Sequence, residues 1–295
     1  MAVSEALLDH LAGGITTLAR CWQLTRRDGW SRGFTDHDGD LLFDGATYVA
    51  NTGLTARALM QTTGLSIDNS EALGALTDVS VTEADIRAGR FDGAEVQVWL
   101  VNWAEVSERM MLFRGHLGEI TRAGGAFRAE LLGLAETLNQ PQGRVYQKSC
   151  SAVLGDGKCR FDLDQLGFTD EAEVLAVEYG TKLSLSGTQD PPDRWFERGM
   201  LTVLTGAAAG LTGVIKNDRR SSAGRDVALW QELRADIAPG DRVRIRAGCD
   251  KQPGTCEDKF GNMLNFRGFP TIPGEDRLLS VPVRGTTTDN TSDAK

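Results

Sequence analysis

The chain has 295 residues, 41% apolar and 25% charged, a composition that supports a buried core and excludes a disordered or low-complexity protein. Its formal charge of -9, from 32 Lys and Arg against 41 Asp and Glu, argues against tight binding of nucleic-acid phosphates, since that affinity comes mainly from basic side chains. An acidic wall past which DNA slides stays compatible with it.

In chain order, the opening MAVSEALLDHLAGGITTLARCW lacks a basic n-region and carries Glu5 and Asp9, so it does not read as a signal peptide and predicts a protein made and kept in a cytosol. An apolar face of period 3.6 predicts a helix over 4–12. Strands are predicted at 15–24 and 40–49. Between them, Asp36, Asp38 and Asp40 in TDHDGD alternate like calcium ligands, but the glycine falls at the wrong step and no bidentate Glu follows, so a plain turn is expected. Thr82 with Asp85 forms a capping box and predicts a helix over 83–89. AEVQVWLV at 94–101 alternates in period two, with Val96, Val98 and Leu100 facing one way and Gln97 and Trp99 the other, the pattern of a half-buried strand. Stretches 109–121 and 127–133, separated by Gly124 and Gly125, predict a hairpin, and a further helix is predicted over 133–139. NQPQG at 139–143 marks the main boundary. Beyond it strands are predicted at 173–178, 182–187, 198–204, 226–233 and 241–246, and PGDRVRI at 239–245 reads as a turn feeding a strand that leads to Cys249. The run VLTGAAAGLTGVI at 203–215 is the most apolar, yet too short and glycine-rich for the ~18 residues of a membrane span, so no membrane insertion is expected. From 285 on the chain is polar and rich in Thr, and a disordered tail is expected. The fold class is mainly β: two or more small barrel or sandwich domains with a few short helices and a loop-rich cysteine site.

Four of the five cysteines fall in two loop-rich places, Cys150 and Cys159 as C-x8-C and Cys249 and Cys256 as C-x6-C. Three chemistries fit four thiols. Disulfides are disfavoured in a reducing cytosol. Structural zinc takes four cysteines, but usually with two to four residues between paired ligands. A four-iron cluster is larger, so longer loops can wrap it, and thiolates are its usual ligands. Such a core with four thiolates is anionic and needs amide donors and cations nearby. Gly155, Gly157, Gly248 and Gly254 would admit amides, while Lys148, Lys158, Arg160, Lys251 and Lys259 lie within three residues of a cysteine. A Pro-Gly turn is read at Pro253 and Gly254.

The two cysteine pairs followed by KFGNMLNFRGFP, Lys259 to Pro270, resemble the C-terminal signature of phage tail tip or baseplate hub proteins of the lambda tail tip protein L type. GFTDHDGDLLFDGATY, Gly33 to Tyr48, and RGHLGEI, Arg114 to Ile120, are similar to tail proteins of alphaproteobacterial prophages and to the hubs of Rhodobacter-type gene transfer agents. This resemblance implies that Cys150, Cys159, Cys249 and Cys256 ligate a 4Fe–4S cluster, with zinc as the alternative. It implies a structural hub rather than an enzyme: a homotrimeric ring in the tail baseplate of a phage-like particle, made in the bacterial cytoplasm and then assembled. The ring would join the distal tail protein ring to a central fibre or megatron-type protein and a cell-wall peptidase, with DNA passing through its lumen without specific binding. The interval between the cysteine pairs is longer than in the lambda type, which points to an inserted module. The expected organisation is an N-terminal hub β-domain at 1–142, a cluster-binding region from 143–170 plus 247–275, an inserted small barrel at 171–246, and a final strand and tail at 276–295. A metal clip closing so long a loop would stabilise the fold strongly.

The runner-up function is a tail-associated peptidoglycan hydrolase. A cysteine peptidase would pair a thiolate with a histidine base, and the candidates are His10, His37 and His116, but no signature of a hydrolase, metalloprotease or P-loop accompanies them. His37 and His116 read as hydrogen-bonded structural residues, Cys21 as a small buried hydrophobe, and Trp99 and Trp103 as core or interface aromatics. An electron-transfer protein would need a flavin or second cluster motif, and none is seen.

Overall fold

Short alternating segments punctuated by Gly and Asp dominate the chain, and they pair into one sheet and one barrel. The computed structural model describes residues 4–50, 54–56, 69–74, 82–123, 126–133, 143, 145–187, 191–222 and 224–273. Of the expected helix over 133–139, Gly133 ends a strand and the rest lies outside these residues, as do the boundary residues 139–142, Gly124 and Gly125, and the chain from 274 on.

Helix α1 (Glu5–Ala12) starts where the Ser4 hydroxyl accepts the Leu7 amide, and it buries Leu7 completely. His10 Nε2 accepts the Thr17 amide at 3.0 Å and so ties the helix to the first strand. Nine strands follow in the order β3-β4-β2-β1-β7-β8-β9-β6-β5. They are β1 (Leu18–Thr25), β2 (Ser31–Thr35), β3 (Leu41–Phe43), β4 (Ala46–Val49), β5 (Leu54–Ala56), β6 (Asn69–Gly74), β7 (Glu95–Asn102), β8 (Arg109–Ala123) and β9 (Ala126–Gly133). The strand expected over 40–49 is a hairpin, because Asp44 and Gly45 both take positive φ, 49° and 74°. The 109–133 hairpin is present as β8 and β9.

β7 differs from the half-buried expectation, since Trp99 and Val101 are buried as well as Val96 and Val98. The reason is curvature. Phe43 of β3 lies 4.0 Å from Tyr48 and 6.0 Å from Trp99, ring centre to ring centre, although β4, β2 and β1 separate β3 from β7 in the sheet. The sheet therefore rolls over and builds a core on each face. One holds Cys21, Tyr48 and Trp99; the other holds Trp22, Phe34, Phe91 and Phe113. Helix α2 (Glu83–Arg87) is shorter than expected. Thr82 Oγ1 accepts the Asp85 amide at 3.1 Å, but the Asp85 carboxylate takes the Thr82 hydroxyl at 2.7 Å instead of reaching back to its amide.

Six further strands close a barrel in the order β10-β11-β14-β13-β12-β15, with β15 pairing back onto β10. They are β10 (Thr169–Glu178), β11 (Lys182–Ser186), β12 (Met200–Val203), β13 (Thr212–Ser221), β14 (Gly224–Leu229) and β15 (Arg242–Arg246). Leu183 and Leu185, Leu201 and Val203, Val227 and Leu229, and Val243 and Ile245 point inward at period two and fill the interior. β13 was not anticipated. A bulge between Ile215 and Asn217 turns Ile215 and Asp218, three residues apart, both inward, so its sequence carries no alternation. No helix among the described residues is long and apolar enough to cross a membrane.

Candidate metal centre

The barrel brings the cysteine segments together. Thr169 opens β10 opposite Arg246, which ends β15, and the Ala247 amide donates to Phe168 O at 2.7 Å, so residues 150–168 and 247–266 run side by side. Helix α3 (Pro253–Asp258) then presents Cys256. Here the expected Pro-Gly turn is instead a helix start, with Pro253 in the first turn, where a missing N–H costs nothing.

Cys150, Cys159, Cys249 and Cys256 all line one cavity, closed by Phe260 and Phe266. All are free thiols. Cys159 and Cys256 are buried, while Cys150 and Cys249 are half-buried. Burial pushes the Cys256 thiol up to about 11, and Cys249, Cys150 and Cys159 add to the shift, so all three lie within electrostatic reach of Cys256. Burial likewise raises Cys249, opposed by the Lys251 amide and ammonium. Three sulfurs receive N–H donors: Cys249 from the Lys251 amide at 3.4 Å, Cys150 from the Arg267 amide at 3.3 Å, and Cys159 from Asn262 Nδ2 at 3.5 Å.

Lys251 is central. At φ 66° it takes a left-handed conformation, rare without a reason; its carbonyl accepts the Cys150 amide at 2.9 Å, and its ammonium reaches Ala152 O at 2.5 Å. Of the other cations, Lys259 is close enough to Cys249 to feel its charge, but its hydrogen bonds go to backbone carbonyls. Lys259 donates to Gly248 O at 2.9 Å and to Trp195 O, lies 4.3 Å from the Trp195 ring centre, and is lowered to about 8 by burial. Arg160 Nε donates to Gly157 O, and Lys158 contributes its amide to Asp156. Nor do the glycines supply amides to sulfur. A Cβ on Gly248 would lie 1.7 Å from Glu197 O, so this residue is small because the barrel loop crosses it. Phe161, Phe168, Phe260 and Trp195 pack edge to face and tilted beside the site, with centroids 4.8 to 5.7 Å apart.

An enclosed thiol set with N–H donors to sulfur fits a thiolate-ligated inorganic group. Among the described residues no three Cys, His, Asp or Glu side chains are close enough together to hold one metal ion.

The remaining candidates are structural. Asp36 Oδ1 accepts the Arg20 amide at 2.6 Å and Asp40 Oδ1 the Ala50 amide at 2.8 Å, so these acids brace a turn. His37 contacts Gly39 and stacks near Trp103, and His116 sits in β8 opposite Glu95. Cys21 is buried, with its thiol raised to about 11 by desolvation, the opposite of an activated nucleophile. Asn262 was missed by sequence reasoning, although it lies in the KFGNMLNFRGFP stretch.

A rolled sheet, a closed barrel and a cavity lined by four thiols define a β-rich protein. Residues 4–162 match the baseplate hub protein, N-terminal attachment domain family, and residues 194–276 match the family described as phage conserved hypothetical protein BR0599. The chain belongs to the baseplate hub protein family. It is similar to a solved chain in the virion of a native gene transfer agent particle, at 55% identity over 98% of this chain and 99% of that one, with a TM-score of 0.88. The curated proteins contain no match.

Proposed function

We propose that this protein is the baseplate hub of a gene transfer agent or closely related phage-like particle. The whole-length likeness to a chain of a gene transfer agent virion carries the reading. In this role the chain acts as scaffold rather than enzyme: three copies form a ring between the distal tail and the fibre and wall-degrading components, and DNA leaves through its lumen. The acidic balance suits a surface that DNA passes without sticking. Micrographs of tails showing a threefold ring of this protein at the distal end support it; a monomer shed from purified particles overturns it.

Cys150, Cys159, Cys249 and Cys256 would hold a 4Fe–4S cluster. The four thiols lining one cavity carry this assignment. The cluster would supply a covalent tie between segments that the barrel separates. The chain's own residues exclude water with Phe260 and Phe266 and direct N–H groups at the sulfurs. Protein purified without oxygen is expected to be brown, with about four irons and four sulfides per chain. One zinc in a colourless solution overturns the assignment. Cys256→Ser is expected to lose the iron and to lower the thermal stability of the second half. A hydrolase has no geometric support, because no histidine lines the thiol cavity.

A further inference from the structure

We infer that Asn262 is a positioning residue that locks the two cysteine segments to each other and sets the electronic environment of Cys159. The inference rests on the cluster reading above and extends it to a residue that is not a ligand. Gly261, at φ 56°, turns the chain out of α3, and Asn262 follows at the point where the two segments meet. Its backbone amide donates to Cys256 O at 2.9 Å. Its side-chain Nδ2 donates to Cys159 O at 2.8 Å and lies 3.5 Å from Cys159 Sγ. One residue thus bonds a cysteine on each side of the barrel insertion.

The amide orientation is fixed by the network. Asn262 Oδ1 accepts Asn265 Nδ2 at 2.8 Å, which leaves Nδ2 to face Cys159. Asn265 is held in turn by a 3-10 turn (Met263–Asn265), where its amide donates to Asn262 O at 3.0 Å. Cys150 and Cys249 receive their N–H from backbone, which no substitution removes cleanly, whereas the Cys159 donor is a side chain. Hydrogen bonds to sulfur spread the negative charge of a thiolate-bound cluster and raise its reduction potential, and such supporting residues typically change metal affinity 10–100-fold when lost.

The test compares wild type with Asn262→Asp, which keeps the shape but replaces the donor with an acceptor, and with Asn262→Ala. Full-length proteins purified without oxygen are assayed for iron, for reduction potential by spectroscopic titration, and for iron release to a chelator. Both variants are expected to have a lower potential than wild type and to release iron about 10-fold faster or more. Wild-type potential and release rate in both variants overturn the inference. If a variant takes up no iron, amide exchange on metal-free protein decides. Faster exchange in 150–162 and 256–267 than in metal-free wild type, with the barrel unchanged, supports the lock; equal exchange overturns it. Wild type without iron overturns the cluster reading alone, and the metal-free comparison still tests the lock.

Discussion

Arg225 and Asp218, 1% and 0% exposed, face each other at 2.6 Å inside the barrel. Asp218 Oδ2 also accepts the Phe196 amide at 2.8 Å, and Arg225 reaches Pro191 O at 2.5 Å and stacks on Phe196. The pair thereby fastens the loop carrying Trp195, whose carbonyl receives Lys259 beside the cysteines. Removing one partner leaves a charge buried alone. Arg225→Met is expected to destabilise the barrel by about 3–5 kcal/mol in denaturant unfolding, and Asp218→Leu added to it to recover part of that loss, with the Phe196 amide still lacking its acceptor. Nothing in TGVIKNDRRS advertises this pair, because a polar run reads as solvated surface until the bulge turns Asp218 inward.

At the scale of elements, the cysteine segment and the barrel loop meet backbone to backbone. A Cβ on Gly199 would lie 1.9 Å from Arg246 O, and one on Gly248 only 1.7 Å from Glu197 O. Gly248→Ala cannot be absorbed by a rotamer change, so it is expected to part the two elements. On the cluster reading proposed above, the visible outcome would be loss of bound iron, with the far-UV circular dichroism of the strands retained. The strands with regular alternation, such as β11 and β15, were legible because each buries one face. β2, β5, β6 and β13 escaped notice; in β13 the cause is a bulge that breaks the alternation, and β2 and β5 are only five and three residues long. The four cysteines were legible as a set because thiols are few and paired in sequence. Their supporting cast was legible only in part: Lys251 was read as a nearby cation, but its amide and carbonyl contacts, and the network through which Asn262 acts, exist only once the fold assembles them.

Across the whole molecule, the sheet and the barrel each own a core, and the polar contacts between them are slight. Arg234 meets Asp92 at 2.6 Å with both side chains more than half exposed, and Arg90 donates to Ala207 O at 2.8 Å. Exposed pairs of this kind contribute about 0–1 kcal/mol. Calorimetry is therefore expected to resolve two unfolding transitions, and Arg234→Ala to shift neither by more than a few degrees. A single transition that moves as one in that variant would mean that the two bodies are coupled far more strongly than these contacts allow.

Because β10 and β15 are neighbours, with Thr169 opposite Arg246, the polypeptide departs for the barrel and comes home at almost the same spot. On the way round it also lends a loop back to the segments it left, since Trp195 O takes the Gly248 amide and the Lys259 ammonium. A relative could therefore lengthen or exchange the hairpins remote from that loop, but replacing the whole ring by a tight turn would strip Gly248 and Lys259 of the carbonyl that seats them. Tolerance of change is graded around the ring, widest far from Trp195 and narrowest beside it.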